Sequence, residues 1–191
     1  MDLDKKEFKK ITEFLSLQNF HIDKNFIPKP IGDGQSNPTF LIRDERKNLK
    51  VLRTQPTGDL VRGAHRVDRE FSVLVALSKK GFECPEPLVL CNDPELIGRM
   101  FYVMDFEEGD INFDPFLPNE NYEDKQKIYK SLAEVLGRLH AYDIDELNLP
   151  FKKNQGFMRR NLSLWYDQIF HDESKKDKEI EKVYKDVLSK L

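Results

Sequence analysis

Between Asp105 and Asp124 the chain carries eight acidic residues and no lysine or arginine, with Gly109, Pro115 and Pro118 interrupting any regular repeat. The hydrophobic pattern has a different period on either side of this stretch. Before it, short apolar runs are broken by turn residues, as in a sheet. After it, apolar residues recur at helical spacing. A chain patterned in this way is expected to fold as a sheet-bearing part and a helical part joined by an acidic connector, an α+β arrangement of two lobes.

The elements follow from local spacing. Phe8, Ile11, Leu15 and Gln18 share one face of an opening helix that ends near Asn19, with lysines opposite. From Phe26 to Thr54 the pattern predicts three strands in an antiparallel sheet. The charged run Asp44 to Asn48 is the turn before the third strand, on which Leu49, Val51 and Arg53 share one face and Lys50 and Leu52 the other. The loop that follows holds Pro56, Gly58 and Gly63; beyond it Val67, Phe71, Leu74, Val75 and Ser78 mark an inserted helix, stopped by Gly81 and packed on the sheet. Two apolar runs, residues 88–91 and 100–106, flank an Asn92-Asp93-Pro94 turn and are expected to be buried strands, bringing the sheet to five. Three helical stretches come after the connector: one on Ile128, Leu132, Val135, Leu136 and Leu139, one around Trp165 and Ile169, and one from Lys175 onward.

Composition limits the functions available. The net charge of −3 supplies no global positive field to draw the molecule to nucleic acid or anionic lipid. Eight basic residues against four acidic ones lie between Arg43 and Arg69, enough for the phosphates of a nucleotide or of coenzyme A. No aromatic ladder interleaves them, so the stacking that single-stranded nucleic acid requires is missing. No apolar run approaches the roughly 20 residues that span a bilayer, and the first 20 residues form a charged amphipathic pattern unlike a signal peptide. The expectation is a soluble, cytoplasmic protein without nucleic-acid or membrane partners. Cys84 and Cys91, with six residues between them and no CxxC spacing, are expected to be free buried thiols.

Gly32-Asp33-Gly34-Gln35-Ser36-Asn37 separates two strands. Small residues there let backbone N–H groups approach an anion, and Ser36 adds a hydroxyl donor; the same composition also makes an ordinary hairpin turn. Seventeen positions separate Arg53, on the third strand, from Glu70, on the inserted helix. A strand-to-helix ion pair of this kind is how kinase-like folds hold a cation at a nucleotide's phosphates, whereas an exposed surface pair contributes only roughly 0 to 1 kcal/mol.

The strings GDGQSNPTFLI, KVLR, AHRVDREF, CPEPLVLCNDPELIGRMFYVMDFEEG and LGRLHAYDIDELNL, in this order and spacing, resemble the aminoglycoside phosphotransferase and choline kinase superfamily. The form most similar is the kinase-like domain fused to some acyl-CoA dehydrogenases, and the resemblance covers about residues 26 to 170. It implies a protein-kinase-like α+β fold. A nucleotide-binding N-terminal lobe, residues 1–106, would hold a small antiparallel five-stranded sheet with its inserted helix. Residues 107–191 would supply the acidic connector and the first helices of an incomplete C-terminal lobe. It further implies an ATP-dependent small-molecule phosphotransferase, with a hydroxyacyl-CoA as the suggested acceptor. Gly34, Gln35, Ser36 and Asn37 would form the phosphate loop, Arg53 the phosphate-contacting base and Glu70 its positioning acid. Met104 would line the base pocket, and the backbone of Asp105 and Phe106 would meet adenine. Arginine in place of the lysine that kinases at large use is a departure, because a forked guanidinium is not interchangeable with a point-charge ammonium.

A larger departure is that the superfamily's HGD loop followed by asparagine, and its later aspartate, do not occur in the 191 residues. Those residues supply the base and the magnesium ligands, so magnesium is expected only with an intact relative. The single HxD, His21-Ile22-Asp23, precedes the glycine turn and reads as a chance match. The chain as given is therefore expected to be a fragment, catalytically silent, with ATP as its ligand. The alternative is a non-catalytic binding or scaffold module. Ile180, Val183, Tyr184, Val187, Leu188 and Leu191 line one face of the last helix, each worth roughly 1.5 to 3 kcal/mol when buried. That face is expected to pack on the preceding helices, on a missing lobe or on a second copy.

Overall fold

Asp4 opens the first helix, α1 (Lys5–Leu17), through a reciprocal cap: its carboxylate accepts from the Glu7 N–H at 2.7 Å, and the Glu7 side chain accepts from the Asp4 N–H at 3.2 Å. The computed structural model describes residues 3–32, 36–58, 60, 64–151, 156–170 and 177–190. Ile11 and Leu15, four positions apart on the inner face of α1, are completely buried.

Beneath α1 lies an antiparallel sheet of β1 (Lys29–Pro30), β2 (Thr39–Arg43), β3 (Leu49–Thr54), β4 (Pro87–Cys91) and β5 (Phe101–Asp105), in the spatial order β1-β2-β3-β5-β4. The β2–β3 turn is closed by Asp44, whose carboxylate accepts from the Asn48 N–H at 2.8 Å, and Lys47 takes a left-handed φ of 72° within it. The two-residue period of the strands sorts the side chains into two populations. Phe40, Ile42, Leu52, Phe101 and Val103 face α1 and make the main core with Ile11 and Leu15, and Phe14 meets Phe101 edge-on at 5.7 Å between centroids. Arg99, 3% exposed, reaches back to Glu7 at 2.9 Å and fixes the start of α1 to the approach to β5.

The opposite face carries α2 (Val67–Lys79), which lies over β4 and β5. Val67 is fully buried, and Phe71, one turn later, meets Tyr102 edge-on at 5.7 Å. The helix stops where Gly81 adopts φ +75°, a conformation that costs glycine nothing sterically. The run at residues 88–91, expected as a buried strand, is the sheet's edge: β4 has a neighbour on one side only, and Cys91 alone in it is buried.

The chain divides into two compact units, residues 1–150 and 151–191. The first also contains the acidic connector and α3 (Tyr122–His140), capped by Asn121. The Arg138–Glu83 pair at 3.0 Å and the edge-on Phe82–Tyr142 contact link this region to the end of α2. No residue of α3 is fully buried; of its apolar repeat, Ile128, Val135 and Leu139 are half-buried while Leu132 and Leu136 are exposed. In the second unit α4 (Phe157–Ile169) meets α5 (Lys178–Ser189): Tyr166 stacks on Tyr184 at 4.0 Å, and Ser163 Oγ lies 3.3 Å from Tyr184 Oη. Tyr184 thus packs on the preceding helix, while Ile180, Val183 and Val187 of the same face stay exposed. Among the described residues no helix is long and apolar enough to cross a membrane.

Candidate functional site

Arg53 sits on the middle strand of the sheet, opposite Thr39 of β2 and Tyr102 of β5, and the strand period turns it to the α2 face. Its Nε donates to Glu70 Oε2 at 2.7 Å and its Nη1 to Thr39 Oγ1 at 2.9 Å. Glu70 is the fourth residue of α2, and the buried Val67 and packed Phe71 beside it set the rotation of the helix. Three elements donate to its carboxylate: Arg53 from β3, Tyr102 Oη from β5 at 3.2 Å, and Asn37 Nδ2 from the glycine turn at 2.8 Å. Burial, and then the negative charge of Glu70, push the Tyr102 phenol well above its ordinary pKa. It keeps its hydrogen and acts as a donor at all physiological pH values.

Asn37 is 5% exposed, and its Oδ1 lies 3.0 Å from His65 Nδ1. His65 itself takes a left-handed φ of 55°, and its carbonyl accepts from Gln55 Nε2 at 2.9 Å. Beside this network opens a cavity of about 550 Å³, bounded by Arg53, Glu70, Val73, Leu74, Tyr102 and Met104. Its lining is mostly apolar, with Arg53, Arg69 and Glu70 as the charged groups, a composition that suits an apolar ligand with an anionic end. A second hollow of about 450 Å³ lies where β5 ends, beside Lys50, Asp105 and Phe106.

The structure therefore brings together Asn37, Arg53 and Glu70, and sets Met104 in the wall of the adjoining cavity. Ser36 is exposed beside them. Gly34 and Gln35 lie outside the described residues. The Asp105 carboxylate is paired with Lys50 at 2.5 Å, and its N–H donates to the Glu86 carbonyl at 2.9 Å. That amide hydrogen is committed to the sheet. Phe106 borders the second hollow. Sequence reasoning missed Tyr102 and Thr39, and gave His65 only as one of a basic cluster. The first had a usable signal, since Tyr102 and Met104 are two apart on one strand and so share a face.

Other sequence candidates have structural roles. Asp23 of the HxD string holds Arg43 at 2.8 Å and Lys47 at 2.7 Å, and Ile22 forms a bridge to Asp44. Cys84 and Cys91 are free; Cys91 is buried and Cys84 half-buried, and burial raises both thiols above the ordinary value. Among the described residues no three His, Cys, Asp or Glu side chains cluster as metal ligands.

The profile of the Phosphotransferase enzyme family matches residues 28–191. The chain belongs to this family. Among curated proteins it is 44% identical over 143 residues to "Probable acyl-CoA dehydrogenase IBR3" of Arabidopsis thaliana, which covers 72% of this chain and 17% of that protein. It is 40% identical over 136 residues to "Acyl-CoA dehydrogenase family member 11" of Rattus norvegicus, covering 71% and 17%. The chain thus spans about a sixth of the length of the curated relatives it matches. A solved structure assigned to the aminoglycoside phosphotransferases, from Ralstonia eutropha JMP134, superposes with a TM-score of 0.60 at 22% identity, over 95% of this chain and 53% of that one. The fold of this phosphotransferase-family chain is accordingly the kinase-like α+β fold expected from its sequence.

Proposed function

We propose that residues 1–150 form an ATP-binding unit of the phosphotransferase family, with the phosphates at the glycine turn and Arg53 and the base against Met104. The observation that carries this reading is the Arg53–Glu70 contact beside an apolar cavity. Glu70 holds Nε and Thr39 holds Nη1, so the fork is immobilised while Nη2 makes no bond among the described residues. A guanidinium fixed in this way can meet phosphate oxygens with little further loss of side-chain freedom. The residues present suit the nucleotide. They do not include the HGD and later aspartate on which the family's metal binding and proton abstraction depend. We therefore assign nucleotide binding, and not phosphoryl transfer, to these 191 residues. For a longer protein that carries this segment the acceptor class we favour is a hydroxyacyl-CoA, on the ground that the relatives sharing it are named acyl-CoA dehydrogenases.

Thermal unfolding with and without ATP tests the reading. Binding at a hundredfold excess over Kd adds about 2.7 kcal/mol to stability, several degrees in Tm for a unit of this size. No shift up to millimolar ATP, with or without magnesium, would discard it. A second reading, a non-catalytic module docking through its last helix, draws on the exposed Ile180, Val183 and Val187 of α5. It is distinguished by a concentration-dependent mass in solution together with indifference to ATP.

A further inference from the structure

Asn37 occupies a turn expected to touch a ligand, yet its side chain is directed into the protein. Nδ2 donates to Glu70 Oε1 at 2.8 Å, and Oδ1 faces His65 Nδ1 at 3.0 Å. Chemistry fixes this orientation. A carboxylate only accepts, so the amide nitrogen must face Glu70; the amide oxygen then faces His65, whose Nδ1 must carry hydrogen. At 5% exposure little of the side chain meets solvent, and swinging the amide outward toward a ligand would break both bonds. The same Glu70 carboxylate receives Arg53 and Tyr102 on its other oxygen. One acid is thus shared by the turn, the middle strand, β5 and its own helix.

We infer that Asn37 is a positioning residue, not a phosphate ligand: it ties the glycine turn to α2 and, through Glu70, to the Arg53 guanidinium. Order at residues 36–40 and the orientation of Arg53 then form one coupled equilibrium. Such coupling is reciprocal: whatever orders residues 36–40 also orders Arg53, and the reverse. The inference rests on the nucleotide reading only for what occupies the turn; the tie itself belongs to the unliganded chain. Groups acting through one shared acceptor are non-additive, because removing either partner breaks the same linkage.

Two measurements on the full chain test this with Asn37→Ala, Glu70→Ala and the double variant. Without nucleotide, amide hydrogen exchange should accelerate several-fold in the first two turns of α2 in Asn37→Ala, and at residues 36–40 in Glu70→Ala, with the end of α2 unchanged. In ATP titrations each single variant should weaken binding about tenfold and the double variant hardly more than either single one. If the losses multiply toward a hundredfold while exchange in α2 stays at wild-type rates, Asn37 is a direct ligand and the inference is overturned. Unchanged exchange in Asn37→Ala overturns it whether or not ATP binds. If the wild type binds no ATP but the exchange linkage is present, the nucleotide reading falls and the positioning role stands. Should Asn37→Ala fail to fold, isosteric Glu70→Gln provides the same exchange test. Its amide must turn an N–H toward Asn37 or toward Arg53 and Tyr102, and exchange unaltered both at residues 36–40 and at residues 53 and 102 would again count as overturning.

Discussion

Arg53 Nε lies 2.7 Å from Glu70 Oε2, joining the middle strand of the sheet to the opening turns of α2 across 17 residues of chain. Both side chains keep about a third of their surface in water, 29% and 36%, so the pair contributes little to stability by itself. Its value is geometric. Thr39 holds the guanidinium directly, Tyr102 and Asn37 hold the Glu70 carboxylate that it meets, and Arg53 and Met104 both line the adjoining cavity.

Replacing Arg53 separates charge from geometry. Arg53→Ala should abolish most of the ATP-induced rise in Tm, a loss of at least tenfold in affinity, about 1.4 kcal/mol. Arg53→Lys retains the charge, but a single ammonium cannot reproduce the fork that holds Glu70 and Thr39 together. Its ATP affinity should fall between those of wild type and Arg53→Ala in calorimetric titration.

Tyr102→Phe removes one donor from Glu70 while leaving the ring against Phe71. The cost should be about 0.5 to 1.5 kcal/mol in urea unfolding, the range for one hydrogen bond lost without a cavity. In the wild type the phenol should stay un-ionised well above the pH at which an exposed tyrosine titrates, because burial and Glu70 both oppose its charge. Ultraviolet absorbance against pH reads this directly.

Asp23 is held down from 3.8 to about 2, first by the Lys47 ammonium, with the Asn25 N–H and Arg43 adding to it. A lowered folded-state value means that its contribution is complete above pH 3.8 and is lost as the pH falls toward about 2. The stability gap between wild type and Asp23→Asn should therefore be widest near neutrality and should close across that interval. Urea midpoints at several pH values test the sign; a gap that widens on acidification would contradict it.

The α1 face of the sheet and the last helix should respond very differently to truncation. Phe101, wholly buried beneath Phe14, should cost about 3 to 5 kcal/mol on change to alanine. Val183→Ala, at an exposed position of α5, should stay within about 0.5 kcal/mol. Equilibrium unfolding of the two variants makes the comparison.

The sequence was most legible where one local period determined a side chain's face. Phe8, Ile11 and Leu15 marked α1; the alternation of Leu49, Val51 and Arg53 put Arg53 on the face opposite Leu52; and Gly81 marked the end of α2. Where partners are distant in sequence, no local pattern announced them. Arg99 meets Glu7 across 92 residues, and Tyr102 meets Glu70 across 32. The run at residues 88–91 reads as buried by hydrophobicity, but a strand's burial depends on how many neighbours it gains, and β4 is at the edge. Asn37 is the clearest case within the site, since its composition suggested a ligand contact and its burial beside Glu70 points it elsewhere.

By itself, then, the amino-acid order determined most of the elements and which residues share a face with Arg53, because strand and helix periods act over a few residues, and its motifs carried the family resemblance. Tertiary structure alone decided which donors converge on Glu70, where Asn37 points and which apolar faces stay uncovered. Those outcomes depend on packing between segments far apart in the chain, where hydrogen-bond geometry selects one partner among several of suitable chemistry.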